Sequence, residues 1–426
     1  MLSYLIGTLI FCFIFNVPIG FALGVATSAS MILGGSNMSL ALIPQRMVAG
    51  VNSFPLLAIP FFMMAGAVME RGGVSKRIVH LSNACVGHIK GGLAAVSILA
   101  CTFFAAISGS TPATAAAVGS LTIPEMEKRG YGKDYAAAVV AAAGCLGVII
   151  PPSITMVVFG VIANVSIGKL LIGGIVPGCI LSAILLITNL VCATRAGYAT
   201  EIRKTLKEAL LAFKDAVWAL LMPIIILGGI MSGVFTPTES AAIAVLYGLI
   251  VGFFVYKELT PKDIVPIFYK SALNSAMIML LIGTANPFGW VMTSLQVPTM
   301  VSNLMLSITT NALGLFFMIM VLLLILGTFM ETAAILMLVV PMVAPLMQNA
   351  GVDMVHFGVL TVIALAVGMA TPPVGIALFA TCSIAKVSIG QISRKIIPFL
   401  LALLVGLIIL VLIPKITTFL PNLMIK

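Results

Sequence analysis

Charge is what this chain has least of. Twenty-two Lys and Arg and twelve Asp and Glu make up 8% of 426 residues, about a third of what a soluble domain carries. With 61% hydrophobic residues and a mean hydropathy of +1.24, the chain cannot cover a water-facing surface, so its solvent is a bilayer. The net charge of +10 is therefore no footprint of nucleic acid. The basic residues stand in short loops between apolar runs, where they set orientation. Cysteine is sparse and scattered: Cys12, Cys85, Cys101, Cys145, Cys179, Cys192 and Cys382 form no CxxC, which argues for packing roles and against disulfides or a metal. His80, His88 and His356 sit in or beside loops with no HExxH among them, and read as interfacial polar residues. No base is thus placed to activate Ser108 in Ala106-Ile107-Ser108-Gly109 as an intramembrane nucleophile. Ala163 to Lys169 resembles a phosphate loop but has Ala for the first Gly and Leu170 after the Lys, so ATP is not expected as the energy source. The start, Met1-Leu2-Ser3-Tyr4, lacks the positive region of a cleavable signal and is expected to be kept.

What the chain does have is a broken apolar segment that occurs twice. Gly147-Val148-Ile149-Ile150-Pro151-Pro152-Ser153 leads to Val165-Ser166-Ile167-Gly168, and Gly368-Met369-Ala370-Thr371-Pro372-Pro373-Val374 leads to Val387-Ser388-Ile389-Gly390. Paired prolines inside membrane-length apolar stretches, at corresponding places in two halves, mark a secondary transporter. Asn52-Ser53 likewise matches Asn274-Ser275, and Ser108 to Ala116 matches Leu326 to Ala334. One duplicated unit explains such matches better than chance.

Each half reads as three spans, a re-entrant hairpin, a broken span and a closing span. In the first half these fall near 2–15, 18–35, 50–69, 91–124, 135–163 and 171–193; in the second, near 216–234, 237–255, 271–292, 313–346, 354–384 and 395–414. Five crossings per half is odd, so the second half enters the membrane inverted. Charge agrees: Arg71, Lys76, Arg77 and Lys90 precede the first hairpin and Lys128, Arg129 and Lys133 follow it, while no Lys or Arg occurs from Ser271 to Ala385. The first hairpin is expected at the cytoplasmic side and the second opposite, with the N-terminus outside and only Arg46, Lys169, Lys415 and Lys426 outside among the cations. The fold class expected is an all-α polytopic membrane protein of two inverted repeats. Its organisation is expected as scaffold helices at 1–70, transport elements and a closing helix at 71–194, an amphipathic cytoplasmic linker helix at 195–215, scaffold helices at 216–292, and transport elements with a closing helix at 293–426.

The hairpin tips and helix breaks carry the chemistry. A desolvated Na⁺ needs several oxygen ligands, and unwound helices release carbonyls. Ser108, Gly109 and Ser110 facing Gly147, Val148 and Pro151 form one candidate Na⁺ site, and Gly327 and Thr328 with Gly368, Thr371 and Pro372 its symmetric partner. The competing reading is that these small residues only let helices pack closely. Ser108, Thr111, Pro152, Ser153, Glu331, Thr332 and Pro373 are the candidate solute ligands. Glu331 either tunes a cation site or caps the second hairpin arm. Glu239, in Thr236-Pro237-Thr238-Glu239, fits a capping box.

With these motifs in hand, SGSTPATAAAVG, GVIIPPS, GMATPPVG, GTFMETAAIL and the two VSIG echoes, the chain resembles the large membrane subunit of a tripartite ATP-independent periplasmic (TRAP) transporter. The likeness runs over essentially its whole length. The resemblance implies an elevator-type ion transporter in a bacterial inner membrane, importing an organic acid with Na⁺. Sialic acid, C4-dicarboxylates and sugar acids are the solute classes it brings, sialic acid being the one favoured. It also implies a periplasmic substrate-binding protein and a separate small four-helix membrane subunit as partners. The alternatives are a stand-alone anion or dicarboxylate carrier of the wider ion-transporter group and, from another class, a membrane enzyme or channel.

Overall fold

The computed structural model describes residues 1–35, 39–198 and 204–424, and every regular element among them is helical. The first half runs α1 (Leu2–Ile14), α2 (Ile19–Leu33), α3 (Leu42–Val51), a 3-10 turn (Phe54–Leu57), α4 (Ala58–Arg71), α5 (Val74–Val86), α6 (Gly92–Ser108), α7 (Thr111–Lys128), α8 (Lys133–Gly144), α9 (Ile154–Ala163) and α10 (Ile167–Ala196). The second runs α11 (Leu206–Met231), α12 (Pro237–Ile250), α13 (Pro261–Ser294), α14 (Val297–Ile308), α15 (Ala312–Gly327), α16 (Thr332–Asn349), α17 (Met354–Met369), α18 (Ile376–Ala385), α19 (Ile389–Leu412) and α20 (Lys415–Met424). From α3 to α10 and from α13 to α19 the two halves repeat one order of elements, with α3 and α4 together standing where α13 is one helix. Both expected hairpins are present, as α6–α7 and α15–α16, and both expected breaks, between α8 and α9 and between α17 and α18. Each break carries a Pro-Pro pair joined by a cis peptide bond.

Seven helices among the described residues are long and apolar enough to cross a bilayer, or eight if α14 and α15, bent by 118°, count as one. α1, α2, α6, α9, α17 and α18 are apolar but only 10–17 residues long, short of the ~20 a full crossing needs. In the hairpins and breaks that shortness is the design, because two half-length helices meet tip to tip inside the membrane. Capping boxes at Thr205/Glu208, Thr236/Glu239, Thr260/Asp263 and Ser388/Gln391 start α11, α12, α13 and α19. Each satisfies backbone N–H groups that a helix end leaves open. Glu239 accordingly has the structural role its motif suggests.

Two groups of helices pack mainly among themselves. α2, α3, α4 and α12 gather around α13 and α11, while α7, α8, α17, α18 and α19 surround the breaks and α10 joins them through α6, α19 and α20. α8 and α17, buried along almost their whole length, form the centre of the second group. Cys145 Sγ lies 3.0 Å from the Ala366 carbonyl and ties the two broken helices together.

Four expectations are corrected. The linker is no separate amphipathic helix: Glu201 to Arg203 lie outside the described residues, as does Lys426, and Leu206 onward is the first part of α11, which runs unbroken to Met231. Only Pro223 interrupts its pattern, and membrane helices tolerate proline. The span expected at 50–69 starts later, at Phe54, and runs to Arg71 as the 3-10 turn and α4; a break at Asn52-Ser53 sets it off from α3, because Pro55 removes a donor where the matching residue of α13, Met277, does not. Connecting helices α5 and α14 and the terminal α20 were not expected at all. His356 is not interfacial: it is 2% exposed and its Nδ1 lies 2.7 Å from Thr417 Oγ1, linking α17 to α20.

Candidate functional site

Each hairpin tip docks on the helix break of its own half. At the first, Gly109 adopts φ +62°, a left-handed turn that ends α6. A Cβ there would lie 2.8 Å from the Pro152 carbonyl oxygen, so the tip is pressed against the break. Across it, a Cβ on Gly147 would come within 2.6 Å of both the Ser110 carbonyl and Thr114 Oγ1. Ser108 Oγ and Thr114 Oγ1 are 2.5 Å apart, and Ser153 Oγ donates to the Val148 carbonyl at 2.5 Å while accepting from Met156 N–H at 3.2 Å. The second tip repeats this with different atoms. Gly375 N–H donates to the Thr328 carbonyl at 3.0 Å, and a Cβ on Gly368 would stand 2.8 Å from Gly327 Cα. Thr328 and Thr371 hydroxyls donate to the Ile325 and Val367 carbonyls at 2.7 and 2.8 Å.

Those hydroxyls spend their hydrogen on a carbonyl and keep their lone pairs. Thr111 Oγ1 is fully buried and has no hydrogen-bond partner among the described residues, the kind of orphan that asks for a ligand. Among the described residues no three His, Cys, Asp or Glu cluster as for a metal ion. Hydroxyl and carbonyl oxygens without soft donors suit a hard monovalent cation and not a transition metal. The candidate Na⁺ residues are thus brought together as two sets, Ser108, Gly109, Ser110, Gly147 and Val148 at one junction and Gly327, Thr328, Gly368 and Thr371 at the other.

The two junctions flank a cavity of about 420 Å³. Thr111, Ile154, Thr332 and Ile376, the first residues of α7, α9, α16 and α18, all reach it. Four helix N-termini therefore face one space, each worth roughly half a positive charge. Glu331 is the one charged residue of that lining, with Ser110, Thr111, Thr155, Asn274 and Thr332 as its other polar members. The Glu331 carboxylate accepts from Ala333 N–H at 3.1 Å and from Thr332 Oγ1 at 3.3 Å, so it caps α16 as well as facing the cavity.

Of the candidate solute ligands, Thr111, Glu331 and Thr332 line this cavity, and Ser108 lines a smaller chamber of about 90 Å³ beside it. Pro152, Ser153 and Pro373 line neither, nor do Pro151 and Pro372. Sequence reasoning missed the opposite wall: Met63 of α4 and Asn274, Met277, Ile278 and Leu281 of α13. The spacing of the α13 residues marks one helical face, and Asn274, an amide within the apolar part of that helix, was the available signal.

Comparison with known proteins follows this geometry. Residues 6–416 match the family model described as "Tripartite ATP-independent periplasmic transporter, DctM component". The chain is 44% identical over 419 residues to the isethionate TRAP transporter permease protein DctMQ of Oleidesulfovibrio alaskensis, covering 98% of this chain but 66% of that longer protein. It is 41% identical to the C4-dicarboxylate TRAP transporter large permease protein DctM of Pseudomonas aeruginosa, covering 87% and 86%. To the sialic acid TRAP transporter large permease protein SiaM of Vibrio cholerae it is 36% identical, covering 96% and 95%. Among solved structures, the YdaH transporter of Alcanivorax borkumensis superposes with a TM-score of 0.65 at 14% identity, covering 96% and 97%, a likeness of fold.

Proposed function

Because this chain belongs to the DctM component family of tripartite ATP-independent periplasmic transporters, we propose that it is the subunit through which a Na⁺ gradient drives uptake of a small organic anion. It is a multi-pass protein of the bacterial inner membrane and a transporter subunit, not an enzyme. The observation that carries the solute class is the meeting of four helix N-termini at one cavity. Oriented backbone N–H groups at such ends attract an anion without a cationic side chain. An acid of the isethionate, C4-dicarboxylate or sialic acid kind, the solutes named for its relatives, places a carboxylate or sulfonate there.

Bound Na⁺ would supply fixed positive charge at the tip–break junctions. Thr111 Oγ1 and the Ser110 carbonyl on one side, and Thr328 and Thr371 on the other, are the oxygens that would hold it. Since each junction joins a hairpin to a broken helix, ligating oxygens from both holds the hairpin shut over the solute. Coupling follows if the closed form binds cation and anion together more tightly than the open form does. The hairpins and broken helices would travel as an elevator against α2–α4 and α11–α13. A periplasmic binding protein would deliver the solute and a small four-helix membrane subunit would widen the stationary part.

Reconstitution tests this. With both partners in proteoliposomes, labelled isethionate, succinate or sialic acid should accumulate only under an inward Na⁺ gradient and only with the matching binding protein. Equal uptake by the isolated chain favours a stand-alone carrier. Uptake indifferent to the gradient removes symport.

A further inference from the structure

The central cavity does not end at the hairpin tips. Asn274 is shared between it and the 90 Å³ chamber, and Ala67, Glu70 and Lys270 are shared between that chamber and a third cavity of about 550 Å³. The three lie in series along one cleft. One wall is α4 and α13, the other is the first hairpin. On α13 the lining steps regularly through Asp263, Pro266, Lys270, Asn274 and Ile278 to Leu281, one face of a single helix. On the hairpin it passes from Pro112 through Ala113 and Ala117 to Ser120 and Leu121. No residue is shared between the central cavity and the roughly 390 Å³ cavity at the other end of α9, around Asn164 and Thr236. The solute space therefore opens beside the first hairpin, the hairpin flanked by Lys and Arg.

The outer cavity of this series carries three cations and three carboxylates. Arg71 pairs with Asp263 at 2.9 Å and Lys76 with Glu258 at 3.8 Å. That leaves Glu70 and Lys270, both exposed, which also line the narrow chamber and so stand nearest to it of the six. Neither has an oppositely charged partner within 4.0 Å among the described residues. Next to Lys270, Ser271 is 5% exposed, faces the narrow chamber, and its hydroxyl has no hydrogen-bond partner among the described residues. A cation left over from pairing, an orphan hydroxyl beside it and an amide one turn deeper at Asn274 form an anion-receiving ladder on one helix face.

We propose that Lys270, with Ser271 and Asn274, is a second, transient station for the carboxylate or sulfonate of the solute on its way out of the central cavity, and that Glu70 displaces the anion from Lys270 to complete release. The inference rests on the anion-transport reading above. The central cavity offers the anion helix N-termini and neutral polar side chains but no cationic one, whereas Lys270 offers a full charge nearer water, so the solute descends from a buried site to a screened one. Glu70 then prevents Lys270 from becoming a trap, because it competes for the same ammonium.

The test uses the complete transporter in oriented vesicles with labelled isethionate, succinate and sialic acid in turn. Half-saturation is measured from each side, by uptake from the binding-protein side and by exchange from the first-hairpin side. Lys270→Gln should raise half-saturation on the first-hairpin side by about tenfold, the size of a lost charged hydrogen bond, and leave the opposite side within twofold of wild type. Lys270→Arg should restore it. Glu70→Gln should act with the opposite sign, tightening binding on the first-hairpin side and slowing turnover. Equal shifts on both sides, or none with Lys270→Gln, overturn the station. A wild-type complex that moves none of the three anions overturns the transport reading itself and this inference with it.

Discussion

The helix that crosses ahead of each hairpin, and the arm that follows it, take different forms in the two halves. In the second half α13 is a single helix of 34 residues; in the first the same stretch is α3, a turn and α4. The arms differ more. α5 is fastened by Arg77, whose guanidinium lies 3.8 Å above the Tyr256 ring and donates to Glu258 at 2.6 Å and to the Gly73 carbonyl at 2.9 Å, with Asp215 at 3.7 Å. Tyr256 in turn donates to the Asp215 carbonyl and accepts from Ala219 N–H, so the fastening reaches α11. α14 carries no charged residue, and the matching position is Thr299, whose hydroxyl bonds within its own helix to Gln296. One ancestral unit has thus kept its tip–break junctions on both sides of the membrane while its arms diverged. The geometry of the junctions is held in common; the geometry that connects them is not.

The largest effect should come from filling the junctions. Gly147→Ala and Gly368→Ala each place a Cβ against backbone with no room to yield. Each should cost about 3 kcal/mol by overpacking, read as a fall in thermal midpoint and a loss of uptake; tolerance at one and not the other would end the equivalence of the junctions. Next in size is the arm contrast. Arg77→Ala should destabilise by about 2 kcal/mol through its lost ring contact and charged hydrogen bonds, whereas Thr299→Ala should stay within about 0.5 kcal/mol. Matching losses in thermal unfolding would show that the outer arm has a fastening of its own. The smallest concerns the tips, since only the second carries an acid. Glu331→Gln keeps an acceptor for Ala333 N–H but removes the charge. If the carboxylate tunes a cation site, half-saturation for Na⁺ should rise several-fold in uptake assays with the thermal midpoint unchanged. Unaltered Na⁺ dependence leaves Glu331 as a cap alone.

What could be read from the chain depended on how local its cause was. The breaks at Pro151-Pro152 and Pro372-Pro373 and the tips at Gly109 and Gly327 were legible because proline and glycine act through their own backbone. The repeat offset then placed the remaining hairpin arms. The wall made by Met277, Ile278 and Leu281 was not legible, because an apolar side chain facing a solute cavity and one facing lipid look the same in sequence. Neither was the length of α11, since hydropathy falls at its charged first turns while the helix does not. α5 and α14 escaped notice for a related reason: both are too short to register as spans.

The charge-free arm has one more consequence. Immersing a Lys or Arg in hydrocarbon costs roughly 2.5–3.5 kcal/mol or more, so Lys76 and Arg77 favour the headgroup level for α5. α14, composed of Val, Met, Leu, Ile and small polar residues, incurs no such desolvation and can sink with its hairpin. An elevator of the kind proposed above would have one fixed shoreline and one that floats.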